Sequence, residues 1–121
     1  MRSARSRVGQ TGEILAAAEL GKLGYRIIDS NYRTQYGEID LVAKDGEYLV
    51  FIEVRSLSNT DFCRPIETIS QKKISRIIYA AQHYMTAKNI NDSAVRFDIV
   101  EVEHRKDSSP VVSVIRDAFN T

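Results

Sequence analysis

The sequence predicts an α/β domain whose two helices and five strands follow the order αβββαββ. Three observations support this prediction: two segments repeat apolar residues at helical spacing, several shorter segments alternate apolar and polar residues, and a glycine-containing turn joins two of these strands. With 121 residues, of which 43% are hydrophobic, the chain is large enough to bury a core but short for two domains. We therefore expect a single domain at residues 9–121 behind a flexible basic tail at residues 1–8.

The first helix is predicted between Gly9 and Leu23, with Gly24 placed to end it. Its apolar residues follow the i, i+3, i+4 spacing of an amphipathic helix and are Ile14, Leu15, Ala17, Ala18, Leu20 and Leu23. Glu13 would then lie in the first turn, where a carboxylate ordinarily stabilises the positive end of the helix dipole. That structural role is the simplest explanation of Glu13 when the helix is considered by itself.

A β-hairpin is predicted over residues 37–55, because two alternating segments flank a turn at residues 44–47. If the hairpin closes symmetrically about Asp45 and Gly46, Asp40 lies one diagonal step from Glu53 on the same face of the sheet. Diagonal neighbours are roughly 7–8 Å apart, so the two carboxylates are within reach of one cation. Without a positive charge between them, they would repel each other.

The remaining elements complete the predicted order. Residues 25–32 and 95–102 are predicted as strands from their β-branched, aromatic and alternating residues, and residues 110–115 as an edge strand that begins with proline. Ser70 is a suitable N-cap for a second helix that extends to about Thr86. Residues 56–65 are predicted to form a polar loop after the charged end of the hairpin, a position where functional residues often lie.

Charge and cysteine content limit the partners, the metal sites and the cellular compartment that the sequence is compatible with. The net charge is only +1, but the predicted second helix carries Lys72, Lys73 and Arg76 without an acid, which indicates either a solvated face or a site for an anionic partner. The single cysteine, Cys63, excludes an intrachain disulfide and a multi-cysteine zinc site and fits a reducing compartment. No apolar run approaches the ~18 residues that a membrane span requires. We therefore expect a cytoplasmic protein with no membrane partner.

The acids of the hairpin match a pattern typical of a metal site on neighbouring strands. Strand side chains repeat every two residues, so Glu53 and Arg55 share one face, which Asp40 also occupies. Mg²⁺ accepts one or two protein carboxylates and keeps most of its water, so Asp40, Glu53 and the backbone carbonyl of Val54 would suffice as ligands, with Mn²⁺ as the alternative ion. The competing explanation is a polar sheet face on which acids and bases form cross-strand ion pairs.

The order of several short motifs resembles the bacterial YraN family over nearly the whole chain. These motifs are Gly12-Glu13, Gly24-Tyr25, Asn31-Tyr32-Arg33, Gly37-Glu38-Ile39-Asp40-Leu41, Phe51-Ile52-Glu53-Val54, Lys72, Arg96-Phe97-Asp98 and Asp117-Ala118-Phe119. That family is similar in turn to archaeal Holliday junction resolvases and to the restriction-endonuclease-like PD-(D/E)xK fold. The resemblance implies an endonuclease-like domain with a central mixed β-sheet flanked by helices, and it implies that the basic second helix lies near bound DNA.

By this resemblance, Asp40 takes the place of the first metal-binding aspartate, Glu53 that of the second acid, and Glu13 that of an additional glutamate on the first helix. The family pattern E-V-K-x-R differs here, because Arg55 and Leu57 stand at its two basic positions. Arginine can clamp a phosphate but is effectively never deprotonated, so it does not replace lysine in every role. The candidate catalytic residues are Glu13, Asp40, Glu53 and Arg55, and the candidate nucleic-acid contacts are Arg33, Arg55, Lys72, Lys73 and Arg76.

The resemblance implies a metal-dependent nuclease that hydrolyses phosphodiester bonds in DNA, including branched or otherwise structured DNA. In such an enzyme, Lys72 or Lys73 would supply the missing ammonium group, although sequence spacing places neither of them near Glu53. Two alternatives remain open: a catalytically impaired nucleic-acid-binding module of the same fold, and a protein-interaction domain whose acidic face docks on a basic partner. The resemblance is also compatible with a homodimer, because related resolvases are dimers.

Overall fold

The computed structural model of the chain describes the backbone of residues 4–57 and 69–120, and the side chains of these ranges from residue 11 onward. Its helices and strands follow the predicted order αβββαββ. They are α1 (Ala4–Lys22), β1 (Arg26–Arg33), β2 (Glu38–Asp45), β3 (Tyr48–Leu57), α2 (Gln71–Ala87), β4 (Ala94–Glu103) and β5 (Val111–Ile115). The α/β class is therefore confirmed, while most of the predicted loop after the hairpin lies outside the described residues.

Helix α1 begins at Ala4, five residues before the predicted start, so residues 4–8, which were expected in the basic tail, are helical, and residues 1–3 lie outside the described residues. Residues 4–8 contain no proline and include alanine and arginine, which are good helix formers. Glu13 consequently lies in the middle of α1, and the first turn of this helix contains no acid. The helix dipole therefore does not explain Glu13.

The five strands form one mixed sheet in the order β1-β2-β3-β4-β5. Strands β3 and β4 are parallel, whereas the other neighbouring pairs are antiparallel. Parallel neighbours need a crossover connection, and α2 forms part of it. The prediction of an edge strand after Pro110 is confirmed by β5. In the part of the chain that the structure describes, no helix is both long and apolar enough to cross a membrane.

The β2–β3 turn is displaced from its predicted centre. Asp45 pairs with Tyr48, so the loop consists of Gly46 and Glu47. Gly46 has a φ of 59° at the first loop position, where type II′ hairpins place glycine because that position needs a positive φ. Gly46 is therefore the first loop residue, whereas the prediction made it the last. As a result, the pairing of β2 with β3 is shifted by two residues from the predicted register.

This shift changes the geometry of the acids. The last β2–β3 pair is Leu41 with Ile52, and its continuation sets Asp40 opposite Glu53 instead of one diagonal step away. Ile39 also departs from the prediction, because it packs on the α2 side of the sheet whereas Leu41 packs on the α1 side. The simple alternation of faces in β2 thus ends where its pairing with β3 ends.

Two apolar clusters hold the helices on opposite faces of the sheet. On the α1 side, buried residues of the helix and sheet include Ala16, Leu20, Leu41, Ala43, Val50, Ile52, Val100 and Val102. On the α2 side they include Val42, Leu49, Phe51, Ile77, Ala80, Ala81, Tyr84 and Phe97. Full burial of a Leu, Val, Ile or Phe side chain contributes about 1.5–3 kcal/mol. Strand β3 is buried on both faces over most of its length, so Glu53 lies in a largely buried part of the sheet.

A polar network surrounds Asp98, which has no exposed surface. The Tyr25 hydroxyl donates to Asp98 Oδ2 at 2.6 Å, and Arg96 Nε donates to Oδ1 at 2.9 Å. The backbone N–H of Asp117 also donates to Oδ1, at 3.0 Å. Because each of these donors stabilises a negative carboxylate, the buried charge is compensated and links β4 to the C-terminal turn.

Asp98→Asn is expected to lower the free energy of unfolding by about 3 kcal/mol, because the change removes one of the two carboxylate charges that pair with Arg96, the other being Asp45, and turns one acceptor into a donor. Urea titration monitored by circular dichroism would measure this loss. The matched control is Asp107→Asn at an exposed position, for which we expect a change within about 0.5 kcal/mol. Equal stabilities of the two variants would contradict the structural role of the network.

Candidate functional site

Asp40 and Glu53 form a pair of carboxylates, called here the carboxylate pair, on the neighbouring strands β2 and β3. Glu53 is 7% exposed and Asp40 is half-buried. The backbone N–H of Val54 donates to Asp40 Oδ2 at 2.7 Å, and the side chains of Asp40 and Glu53 hydrogen-bond to each other. Two carboxyl groups in such contact need a shared proton or a cation between them.

Burial, followed by the hydrogen bond and charge of Glu53, raises the pKa of Asp40 to about 8. The Val54 N–H opposes this change, and the charge of Glu13 adds to it. The folded-state pKa lies above the ordinary value of 3.8. The contribution of Asp40 to folding stability is therefore fully present below pH 3.8 and is lost as pH rises through about 8. In the absence of a metal ion, Asp40 therefore keeps its proton at neutral pH.

Lys73 brings a positive charge from α2 to the carboxylate pair. Its Nζ lies 3.0 Å from Glu53 Oε2. Ser70 caps α2 as predicted and accepts a hydrogen bond from the Lys73 backbone N–H at 3.1 Å, which fixes the first turn of the helix. Burial opposes the charge on Lys73, but the acids around it outweigh this effect, so its pKa is raised and the ammonium group is retained.

Glu13 approaches the same region from α1. Its negative charge contributes to the raised pKa of Asp40. The close approach of α1 to the end of β3 explains this position. A Cβ atom on the neighbouring Gly12 would meet the rotatable Ser56 Oγ, which shows that α1 runs close to the end of β3. The structure thus brings Glu13, Asp40 and Glu53 into one electrostatic environment, although they come from three different elements.

Arg55 lies two residues beyond Glu53 on β3, but its charge is directed to the next strand. Its Nη1 is 3.8 Å from Glu101 Oε2, and the two side chains are only 14% and 20% exposed. The predicted contact of Arg55 with a phosphate therefore remains a prediction. The same holds for the backbone carbonyl of Val54 as a metal ligand.

A cleft of about 540 Å³ lies beside the carboxylate pair, between the β1–β2 loop and α2. We call it the basic cleft, because three of the predicted nucleic-acid contacts line it, namely Arg33, Lys73 and Arg76. Lys72 is exposed and is not among its lining residues. Gly37 shapes the cleft, since a Cβ atom there would collide with the backbone carbonyl of Arg76 and would separate the loop from the helix.

Within the described ranges, no group of three or more His, Cys, Asp or Glu side chains is arranged to hold a metal ion. The carboxylate pair nevertheless fits Mg²⁺ or Mn²⁺, since Mg²⁺ accepts one or two protein carboxylates and completes its shell with water and phosphate. The proton that the raised pKa of Asp40 retains would occupy the place in the charge balance that a divalent cation would take.

Comparison with known proteins identifies the family. The model described as "Uncharacterised protein family UPF0102" matches residues 12–102. A UPF0102 protein of Moorella thermoacetica is 42% identical over 120 residues, which cover 98% of this chain and 100% of that protein. A UPF0102 protein of Anaeromyxobacter dehalogenans is 42% identical over 116 residues, with coverages of 96% and 86%. The chain therefore belongs to the uncharacterised family UPF0102, as its resemblance to YraN proteins indicated.

Proposed function

We propose that this protein is a metal-dependent nuclease with a restriction-endonuclease-like fold that hydrolyses phosphodiester bonds in DNA, including branched or otherwise structured DNA. The observation that carries the proposal is the carboxylate pair, held by two neighbouring strands in mutual contact and joined by a lysine from α2. A surface ion pair would place such groups in water, whereas Glu53 is almost fully buried. A DNA partner and a homodimer form part of the proposal as predictions.

Asp40, Glu53 and the backbone carbonyl of Val54 would hold the metal ion. When bound, Mg²⁺ or Mn²⁺ would supply a Lewis acid that polarises the phosphodiester and lowers the pKa of a bound water. Two properties of the surrounding side chains favour the binding of this ion. Burial and mutual repulsion disfavour two bare carboxylates, and Glu13 adds negative charge, so both effects favour a cation at this position.

Lys73 is the residue that best compensates for the missing lysine at position 55. Its ammonium group extends from α2 and contacts Glu53 on β3. Because Lys73 is half-exposed, it can also reach a phosphate oxygen at the mouth of the basic cleft. Because its pKa is raised, Lys73 stays positively charged and would hold the phosphate without accepting a proton. Arg33 and Arg76 would bind the adjoining sugar-phosphate backbone.

A binding module without turnover is the second candidate, and the ion pair of Arg55 with Glu101 favours it. In that case, the loss of lysine at position 55 would have removed catalysis and left the basic cleft. An Arg55→Lys variant that gains cleavage would identify this candidate. The protein-interaction alternative predicts no DNA retention, whereas phosphate contacts make DNA binding fall steeply with salt.

The test is cleavage of labelled four-way junction, single-stranded and duplex DNA by the purified protein with Mg²⁺ or Mn²⁺. We expect metal-dependent products with the natural chain and a loss of about 1,000-fold in Glu53→Gln, equivalent to about 4 kcal/mol in the barrier. Glu47→Gln, in the exposed hairpin turn, is the matched control and should retain cleavage. Salt-sensitive binding without cleavage would support the binding module, and the absence of both would contradict both candidates.

A further inference from the structure

Two exposed tyrosines stand at the edge of the basic cleft. Tyr36, in the β1–β2 loop, is 58% exposed and lines the cleft, while Tyr79, on α2, is 40% exposed. Their ring centroids are 5.4 Å apart and their planes meet at 84°, which is an edge-to-face contact. In such a contact, the ring that presents its edge has neither face covered by the other ring. Given their exposure, the two tyrosines leave part of their aromatic surface open to solvent.

The aromatic surface continues along α2. The ring of His83 lies 6.4 Å from that of Tyr79, and Tyr32 fixes His83 through a contact of 2.6 Å between its hydroxyl and Nδ1. The rings of these residues come from the β1–β2 region and from α2, so tertiary packing brings them together. Contiguous exposed aromatic surface of this kind often marks a ligand-binding site.

Charge determines which ligand suits this surface. Arg33, Lys73 and Arg76 line the cleft, and Lys73 also touches Glu53 of the carboxylate pair. One acid, Glu38, lines it as well and pairs with Arg33 at 3.3 Å, so the charged lining remains positive. Cations that follow a phosphate backbone, next to aromatic rings on which bases stack, are the two parts of a surface for single-stranded nucleic acid. In a duplex, the faces of the bases are already stacked on each other and are not available to tyrosine.

We propose that Tyr36 and Tyr79 form a stacking surface for unpaired bases, so that the DNA strand in the basic cleft is single-stranded next to the carboxylate pair. This inference rests on the proposed function and specifies its substrate as DNA with an unpaired segment, such as a flap, a gap or the open centre of a junction. Arg33 and Arg76 bind the phosphates of that segment, and the tyrosine pair holds its bases.

The test is DNA binding by the full-length protein in EDTA, measured by fluorescence anisotropy, which needs no cleavage. The probes are a single-stranded oligonucleotide, the same strand with abasic sites in place of its bases, and a blunt duplex of equal length. Tyr36→Leu removes the ring and keeps apolar volume, Tyr36→Phe keeps the ring, and Tyr79→Leu tests the second ring independently. Thermal unfolding confirms that each variant is folded.

We expect Tyr36→Leu and Tyr79→Leu to bind the single strand about 5- to 100-fold more weakly, with duplex binding unchanged and with Tyr36→Phe equal to the natural chain. The abasic strand should bind the natural chain as weakly as the single strand binds Tyr36→Leu. Unchanged single-strand binding in both leucine variants, or equal losses on duplex and single strand, would overturn the stacking surface and leave the nuclease proposal intact. If the natural chain binds no DNA at all, both proposals fail.

Discussion

Asp40→Asn is expected to reduce metal-dependent cleavage by about 1,000-fold and to make the metal-free protein more stable near pH 8. The loss of activity follows from the loss of one of two carboxylate ligands. The gain in stability follows from the pKa of about 8, because above pH 3.8 the unfolded chain releases this proton, whereas the folded natural chain keeps it until about pH 8. Each unit of raised pKa corresponds to about 1.4 kcal/mol, so we expect a gain of at least that size.

Urea unfolding in EDTA at several pH values measures the stability of Asp40→Asn. The difference from the natural chain should be small near pH 4 and should grow towards pH 8, since only the natural chain carries the titrating carboxyl group. Asp92→Asn, at an exposed turn, should show no such trend. A variant that is active, or one whose stability relative to the natural chain does not depend on pH, would contradict the assigned role of Asp40.

Lys73→Ala is expected to lower kcat for cleavage by about 100-fold, because it removes the ammonium group that contacts Glu53 and would hold the reacting phosphate. Lys72→Ala removes the same charge one residue earlier in α2. Because Lys72 is not among the residues that line the basic cleft, we expect its loss to raise KM modestly and to leave kcat nearly unchanged. Steady-state kinetics on the same DNA substrate separates these effects, and equal losses of kcat in the two variants would show that only the charge of the helix matters.

The elements of the fold follow from local sequence patterns, and these patterns were sufficient to predict their order. The N-cap at Ser70 and the edge position of β5 depend on single residues with strong local preferences, and both predictions are confirmed. The predicted hairpin register was wrong because glycine suits either loop position, and the choice between them moved Asp40 from one diagonal step away from Glu53 to a position opposite it. A local error of this kind changes the geometry of a site without changing the fold.

The composition of the candidate site was only partly predictable. Asp40 and Glu53 belong to one hairpin, so strand alternation relates their side chains, whereas Lys73 arrives on a helix behind a crossover connection. Helical periodicity shows which residues share a face, but it does not show how far the helix extends over the sheet. The contact between Tyr36 and Tyr79 also depends on the placement of α2 over the sheet. The two residues are far apart in the chain and meet only when α2 packs against the β1–β2 loop.

The most direct test of the carboxylate pair as a metal site is isothermal titration calorimetry of Mn²⁺ into the protein near pH 7, in two buffers of different ionisation enthalpy. Comparison of the buffers gives the number of protons released when the ion binds. We expect one site in the natural chain, release of about one proton per ion as the proton on Asp40 is displaced, and no binding at this site in Asp40→Asn. Absence of Mn²⁺ binding in the natural chain, or unchanged binding and proton release in Asp40→Asn, would contradict it.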